Sequence, residues 1–589
     1  MSRRLPPTDV VVVGLGWTGS IMSYELCRAG LRVTAIERGP WRDTPTDFPP
    51  TTAPDELRYS IRHDLFVRPA QETLTFRNTM NQTALPIRRW GSFLPGNGVG
   101  GAGVHWNGQT WRWHPWDFTF HSSSVARYGA DFLPQDHMMQ DWGITYEELE
   151  ESFDRFEYLC GISGKAGNLG GQLQPGGNPF EGSRRRDYPT PPMQMTAAPQ
   201  LFAKAATELG WKPFPQPSAN LSQAYTNPYG CKLAPCTYCG FCERFGCGNF
   251  SKSSPQTCVL PVLVRHPGFE ARTECQVTRV NLSRDGKRAT GVTYVDTAGQ
   301  EWEQPAALVL LCAYQLFNVR LLLLSGIGKP YNPATGEGVV GRNYAYQVTG
   351  GATGFFGQDK IFNPFIGAGS VGMVADEFNA DNFDHGPAGF VGGASLACIL
   401  TNGRPITNRP VPPDTPRWGS EWKRATRDNY NRWAAVGLQG SVMPYRGNYL
   451  DLDPTYKDSN GLPLLRMTFD FPENERKLSR FAVDRCVEAV RAMGAHTVRR
   501  NEISGPYSIV PYQSTHNTGG AIMGSDPKTS VANKYCQVWD VPNVFLSGAS
   551  LFPMNAGFNP TGPVGALAYW AADAIRDRYL PNPGPLVPA

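Results

Sequence analysis

Val10-Val-Val-Val-Gly14-Leu-Gly16-Trp-Thr-Gly19 is the stretch whose reading decides the fold. Four consecutive Val residues read as a strand covered on both faces, the pattern of a parallel sheet. Ser20–Arg28 then reads as helix, Gly30 ends it, and Leu31–Ile36 forms a second strand closed by Glu37. In that frame each glycine has a task. Gly14 allows the tight turn, Gly16 lets backbone approach a pyrophosphate, and Gly19 lets the helix pack against the strand. The helix N-terminus offers unpaired N–H groups and a positive dipole end to phosphates. Glu37 stands eighteen residues after Gly19 and can accept hydrogen bonds from ribose hydroxyls. The strand before and the acid after make this a dinucleotide site rather than an ordinary glycine turn. FAD and NAD both remain open at this point.

A second glycine cluster follows, Gly96-Asn-Gly98-Val-Gly100-Gly101-Ala-Gly103-Val-His105-Trp106-Asn107-Gly108. Six glycines in thirteen residues mean backbone pressed against something flat or anionic. Flexible loops rarely embed His-Trp-Asn in such a run, so the cluster reads as a second cofactor contact.

Five of the 13 cysteines crowd into one segment, spaced Cys231-x4-Cys236-x2-Cys239-x2-Cys242-x4-Cys247. The other eight stand mostly in apolar contexts, where a free thiol packs as a small hydrophobe. A disulfide framework is not expected in so large a core. Zinc, an iron–sulfur cluster and unligated or disulfide-bonded cysteines are the alternatives for the five. Zinc usually takes two Cys pairs across a longer loop. Three Cys separated by two residues each stand closer to ferredoxin-like spacing.

The rest of the chain sets bounds. At 589 residues it is long enough for two or more domains of roughly 100–200 residues each. Net charge is only +4, without a basic block, which argues against nucleic acid as a partner. The longest apolar runs, such as Ala306–Tyr314, fall short of the roughly 18 residues of a membrane span. Met1–Asp9 leaves no room for an n-region and h-region, so no signal peptide is expected on this chain. Charged residues are 18 % and apolar ones 41 %, with 63 Gly and 51 Pro: a loop-rich globular chain. Two helices stand out, Thr145–Gly161 with a Thr145/Glu148 capping box and Asn474–Gly494 with one apolar face. Pro40–Trp90 reads as long loops with few short elements. Cys275–Val295 reads as strands around an Asp285-Gly286 turn, Leu308–Leu311 as a buried strand and Gln315–Leu324 as helix.

Taken together, the N-terminal fingerprint, the Gly98–Gly108 cluster, Leu321–Gly328 and Gly557-Phe-Asn559-Pro560-Thr561 stand in an order that resembles the glucose–methanol–choline (GMC) oxidoreductases. The motifs span nearly the whole chain. The resemblance implies a mixed α/β fold in two parts. A Rossmann-like FAD domain would be assembled from residues 1–120, 230–345 and 505–589, with the Cys-rich segment 231–247. A substrate domain with an antiparallel sheet and helices would take 121–229 and 346–504. It implies FAD held by Gly14, Gly16, Gly19, Glu37, Gly98, Gly100, Gly101, Gly103, His105, Asn107, Gly548, Asn559, Pro560 and Thr561. Some family members link a His at the position of His105 covalently to the flavin. One departure is visible: Cys312-Ala-Tyr314 replaces a small Gly-containing turn, so the backbone near the adenine half of FAD is expected to differ.

Thr515-His516-Asn-Thr-Gly519-Gly520 fits the family's catalytic histidine motif, and Asn559 fits its second catalytic position. The chemistry asks for such a pair. Oxidising an alcohol needs a base for the hydroxyl proton while hydride leaves carbon, and imidazole suits that role. A neutral amide can hold the substrate oxygen without competing for the proton.

Within the family, the five-Cys segment and the run from Asp55 to Trp113 resemble the bacterial membrane-bound sugar-acid and sugar dehydrogenases. That resemblance implies a three-iron (3Fe–4S) cluster on Cys236, Cys242 and Cys247, with Cys239 a spare or alternative ligand and Cys231 outside the set. It implies oxidation of a sugar-acid hydroxyl, D-gluconate first. 2-Ketogluconate, sorbitol or another polyol is the alternative, and an oxygen-using oxidase is a weaker one because it needs no cluster. The implied partners are a small subunit with a twin-arginine signal and a multihaem cytochrome c that holds the complex at the periplasmic face of the membrane.

Overall fold

Thr8–Val13 lies at the centre of an eight-stranded sheet in the computed structural model, which describes residues 2–48, 65–363, 365–399 and 410–588. All four valines are at or near zero exposure, as an apolar run covered on both faces requires. Val33–Ile36 pairs with it on one side in parallel register, and Phe269–Arg272 extends that side. On the other side runs the long strand Glu301–Leu311, which changes partners part-way. Its second half, Ala306–Leu311, runs parallel to Thr8–Val13, while Glu301–Pro305 pairs antiparallel with Ala289–Val295. Gln276–Leu282 adds an antiparallel edge, and Val544–Leu546 pairs in parallel with Val309–Leu311.

Between the first two parallel strands runs the helix Trp17–Arg28, which begins three residues before the expected Ser20. Gly19 makes its packing possible: a Cβ there would meet the Gly14 carbonyl oxygen at 2.0 Å.

A second sheet of six strands is antiparallel throughout. Its order is Thr497–Asn501, Val348–Phe355, Trp433–Gly440, Ala394–Ile399, Gly372–Ala375, Phe214–Pro215. The helix Glu473–Ala492 packs across it through the apolar face Leu478, Ala482, Cys486 and Ala489. A third sheet of four strands pairs Pro463–Thr468 with Leu74–Arg77, so early and late parts of the chain share it.

The helix Tyr146–Cys160 carries the expected capping box: the Thr145 hydroxyl accepts from the Glu148 N–H, and Glu148 accepts from the Thr145 N–H. It packs against the helix Thr561–Ala574, where Gly565 admits the Phe156 ring. No disulfide joins any of the 13 cysteines. Among the described residues no helix is long and apolar enough to cross a membrane. Asp55–Asp64, part of the run that carried the finer resemblance, lies outside the described residues.

Candidate active site

The carboxyl ends of the parallel strands deliver Gly14, Glu37, Cys312 and Gly548 to one wall of a cavity of about 540 Å³. That is where open α/β sheets place their ligands. Gly14 takes φ +92°, and a Cβ there would meet the Cys312 carbonyl oxygen at 2.7 Å. A Cβ on Gly16 would meet nothing closer than 3.9 Å, so its bare backbone faces open cavity at the start of the helix. The Glu37 carboxylate accepts from the Leu15 N–H at 3.0 Å and from the Gly39 N–H at 2.9 Å. It thereby pins the glycine turn, and each oxygen keeps a second lone pair for a ribose hydroxyl.

The second cluster closes over this turn. Gly101, Gly103, His105 and Asn107 line the cavity, as do Asn559, Pro560 and Thr561 at the start of Thr561–Ala574. Gly19, Gly98 and Gly100 sit one layer back. The Gly100 N–H donates to the Leu15 carbonyl at 2.7 Å, and a Cβ on Gly98 would meet the Pro40 carbonyl oxygen at 2.7 Å. They shape the cradle by letting two backbone turns touch. Built of bare backbone at the phosphate end and long enough to reach from Glu37 to His516, the cavity fits FAD.

Tyr314 stands where a glycine was expected, and its backbone is glycine-like at φ +76°, ψ 155°. For a Tyr this costs about 1–3 kcal/mol. The phenol offsets it: the hydroxyl donates toward the Thr515 carbonyl at 3.3 Å and accepts from Asn517 Nδ2 at 3.0 Å. The Cys312–Tyr314 turn is thus tied to the loop that carries His516.

His516 and Asn559 meet, with Asn559 Nδ2 3.0 Å from His516 Nε2. Burial holds the His516 imidazole down at about 3, so the ring is neutral at working pH. Its Nδ1 faces Gln347 Oε1, and its carbonyl accepts from Asn555 Nδ2 at 2.8 Å. Trp111 Nε1 donates to Asn559 Oδ1 at 3.1 Å, which turns the NH2 end of that amide toward His516. The Trp111 indole also stacks on Phe558 at 4.4 Å with 9° between planes. Phe558 also stacks with His114, which is paired with the fully buried Asp376 at 2.9 Å. Although burial opposes it, the Asp376 carboxylate lifts His114 to about 9. Sequence reasoning missed Trp111, Gln347 and His114. Trp111 follows the second glycine cluster closely, which was a signal; Gln347 carries none.

His105 is buried, and its Nε2 has no hydrogen-bond partner. Burial, helped by the Lys252 charge, holds the imidazole near 3, so this ring too is neutral. A neutral, orphaned ring nitrogen at a cavity wall suits a bond to the flavin edge.

The cysteine segment lies directly behind. The Arg244 N–H donates to the His105 carbonyl at 2.8 Å. The buried Lys252 ammonium donates to the carbonyls of Trp106, Cys242 and Phe245 at 2.5, 2.7 and 2.8 Å. Cys242 is buried, and Cys236, Cys239 and Cys247 are half-buried. Burial raises the thiols of Cys236, Cys239 and Cys242, the last to about 12. N–H groups point at three of the sulfurs: Tyr238 N–H at Cys236 (3.4 Å), Lys252 N–H at Cys247 (3.4 Å) and Asn220 Nδ2–H at Cys242 (3.5 Å). Such donors suit sulfurs that carry negative charge as cluster ligands. Among the described residues, however, no three His, Cys, Asp or Glu side chains stand close enough to hold a single metal ion. A cluster of several irons spaces its thiolates more widely than one ion does.

Comparison with known proteins agrees with this geometry. Two GMC oxidoreductase family patterns match residues 144–349 and 444–568. The gluconate 2-dehydrogenase flavoprotein of Pantoea cypripedii is 49 % identical over 595 aligned positions, covering 100 % of this chain and 97 % of that protein. A 2-methyl-1,2-propanediol dehydrogenase of Mycolicibacterium austroafricanum is 29 % identical (98 % and 97 % covered). The fructose dehydrogenase large subunit of Gluconobacter japonicus is 24 % identical (98 % and 99 % covered). Among solved structures, pyridoxine 4-oxidase from Mesorbium loti shares the fold with a TM-score of 0.59 at 16 % identity, covering 96 % of this chain and 98 % of its own. With both family patterns matched and its whole length shared with such a relative, this chain belongs to the GMC oxidoreductase family.

Proposed function

We propose that this protein is an FAD-dependent dehydrogenase that oxidises the C2 hydroxyl of D-gluconate to 2-keto-D-gluconate. The observation that carries the reading is the His516–Asn559 pair at 3.0 Å on the wall of a cavity that begins at a dinucleotide turn. The 49 % identity to a gluconate 2-dehydrogenase flavoprotein supports the substrate. FAD, which membership of the family implies, supplies the hydride acceptor. His516 Nε2, neutral because it is buried, takes the hydroxyl proton. Asn559, its NH2 end turned inward by Trp111, holds the substrate oxygen during that transfer. The indole, Phe558 and His114 stack keeps this wall dry and fixed.

The reading extends to the electron exit. Cys236, Cys242 and Cys247, with Cys239 adjacent, would hold a 3Fe–4S cluster, which supplies a one-electron outlet toward a multihaem cytochrome c subunit. The N–H donors aimed at those sulfurs support this part. His105 would carry the flavin covalently. The complex would work in the periplasm, exported with a small twin-arginine-signal subunit and attached to the membrane through its haem subunit.

A panel of sugar acids, sugars and polyols with an artificial electron acceptor tests the substrate, and iron and labile-sulfide analysis tests the exit. Gluconate turning over well ahead of sorbitol and fructose is expected, with about three irons per flavin. Preference for a neutral polyol overturns the substrate, and zinc in place of iron overturns the outlet.

A further inference from the structure

Gln347 is fully buried immediately before the strand Val348–Phe355. Its Nε2 donates to two backbone carbonyls, Ala556 at 3.2 Å and Phe558 at 3.0 Å. A carbonyl oxygen only accepts, so the NH2 end of this amide must face the loop that carries Asn559. The carbonyl end, Oε1, therefore faces His516 Nδ1. An acceptor there leaves one arrangement for a neutral ring: hydrogen on Nδ1, lone pair on Nε2. Nε2 is the nitrogen that faces Asn559.

We infer that Gln347 is the positioning residue that selects the tautomer of His516, so that Nε2 and not Nδ1 is the base that takes the substrate's hydroxyl proton. One side chain thus spans the two loops that carry the catalytic pair. It fixes the amide acceptor by means of the Asn559 loop and spends that acceptor on the His516 ring. The inference rests on His516 acting as base.

Two substitutions and one spectrum test it. Gln347→Leu keeps the bulk and removes both ends. Flavin reduction by saturating substrate should slow by about 10–100-fold, part of the ~10²–10⁴ that a general base supplies, with KM nearly unchanged. Gln347→Glu places a carboxylate on Nδ1–H and favours the imidazolium. The acid limb of the kcat/KM pH profile should then move up by about one pH unit or more. A role in packing alone would lower stability and rate without moving that limb. Ring-15N NMR of labelled histidine in the flavin-loaded wild-type protein, assigned by difference against His516→Ala, should place hydrogen on Nδ1 of His516. That measurement stands even if both Gln347 variants fail to fold. Hydrogen on Nε2, or a Gln347→Glu profile superimposable on wild type, overturns the inference. If His516→Ala itself retains turnover, the base assignment fails instead, and the NMR result still reports on Gln347.

Discussion

Trp111→Phe separates two things that one indole does. The stack on Phe558, at 4.4 Å and 9° between planes, survives in most of its area when a phenyl ring replaces the indole. The Nε1–H that reaches Asn559 Oδ1 at 3.1 Å does not. Asn559 is 5 % exposed, so water has little access to replace that donor. An acceptor orphaned in this way costs about 1–3 kcal/mol. The amide escapes the cost by flipping, and its oxygen then faces the Nε2 lone pair of His516, where it repels and can no longer donate to the substrate oxygen. With about 1.4 kcal/mol per factor of ten, flavin reduction should slow by about 5–150-fold. Anaerobic stopped-flow bleaching of the flavin at saturating substrate measures this step alone. A thermal melt of the same sample reports lost packing separately. A reduction rate within twofold of wild type would refute the reasoning, because the amide would then be held by something other than Trp111.

Acid precipitation of the flavin-loaded protein should leave yellow, fluorescent protein in the pellet, and His105→Ala should move the flavin to the supernatant; free flavin from the unaltered protein removes the covalent link. Stability should fall on both sides of neutrality. Burial holds His516 and His105 at about 3 against about 6.5 in the unfolded chain, so their contribution is whole above pH 6.5 and is lost as pH falls toward 3. Asp376 lifts His114 to about 9, so that contribution is whole below pH 6.5 and is lost as pH rises through 9. Melting temperatures from pH 5 to 10 should peak near neutrality, and His114→Gln should flatten the alkaline side. An unchanged alkaline side in that variant refutes the charge assignment.

What could be read from the sequence had a local cause. Val10–Val13 with its glycine turn is legible because strand, turn and helix follow one another within thirty residues, each leaving its own pattern. The helices at Tyr146 and Glu473 are legible from caps and apolar spacing alone. His516 and Asn559 were reached through motifs, although no spacing in the chain brings together residues 43 positions apart. Gln347 left no such mark, and Trp111 left only its place close behind the second glycine cluster. Each is defined by a partner 169 or 448 positions away, and only the folded sheets supply those neighbours. The partner switch at Pro305 within Glu301–Leu311 was also invisible, because the apolar run that starts at Ala306 marks only the half that pairs in parallel.

Lys252 couples two loops of the protein. Its ammonium is wholly enclosed, and its three hydrogen bonds are divided between Trp106 on the glycine loop and Cys242 and Phe245 on the thiol segment. If either loop slackens, a buried cation loses part of its solvation, a cost the other loop cannot make up. Order in one is therefore a condition for order in the other, and by linkage the dependence runs equally both ways. A change that loosens either loop therefore leaves both open to local unfolding and to proteases.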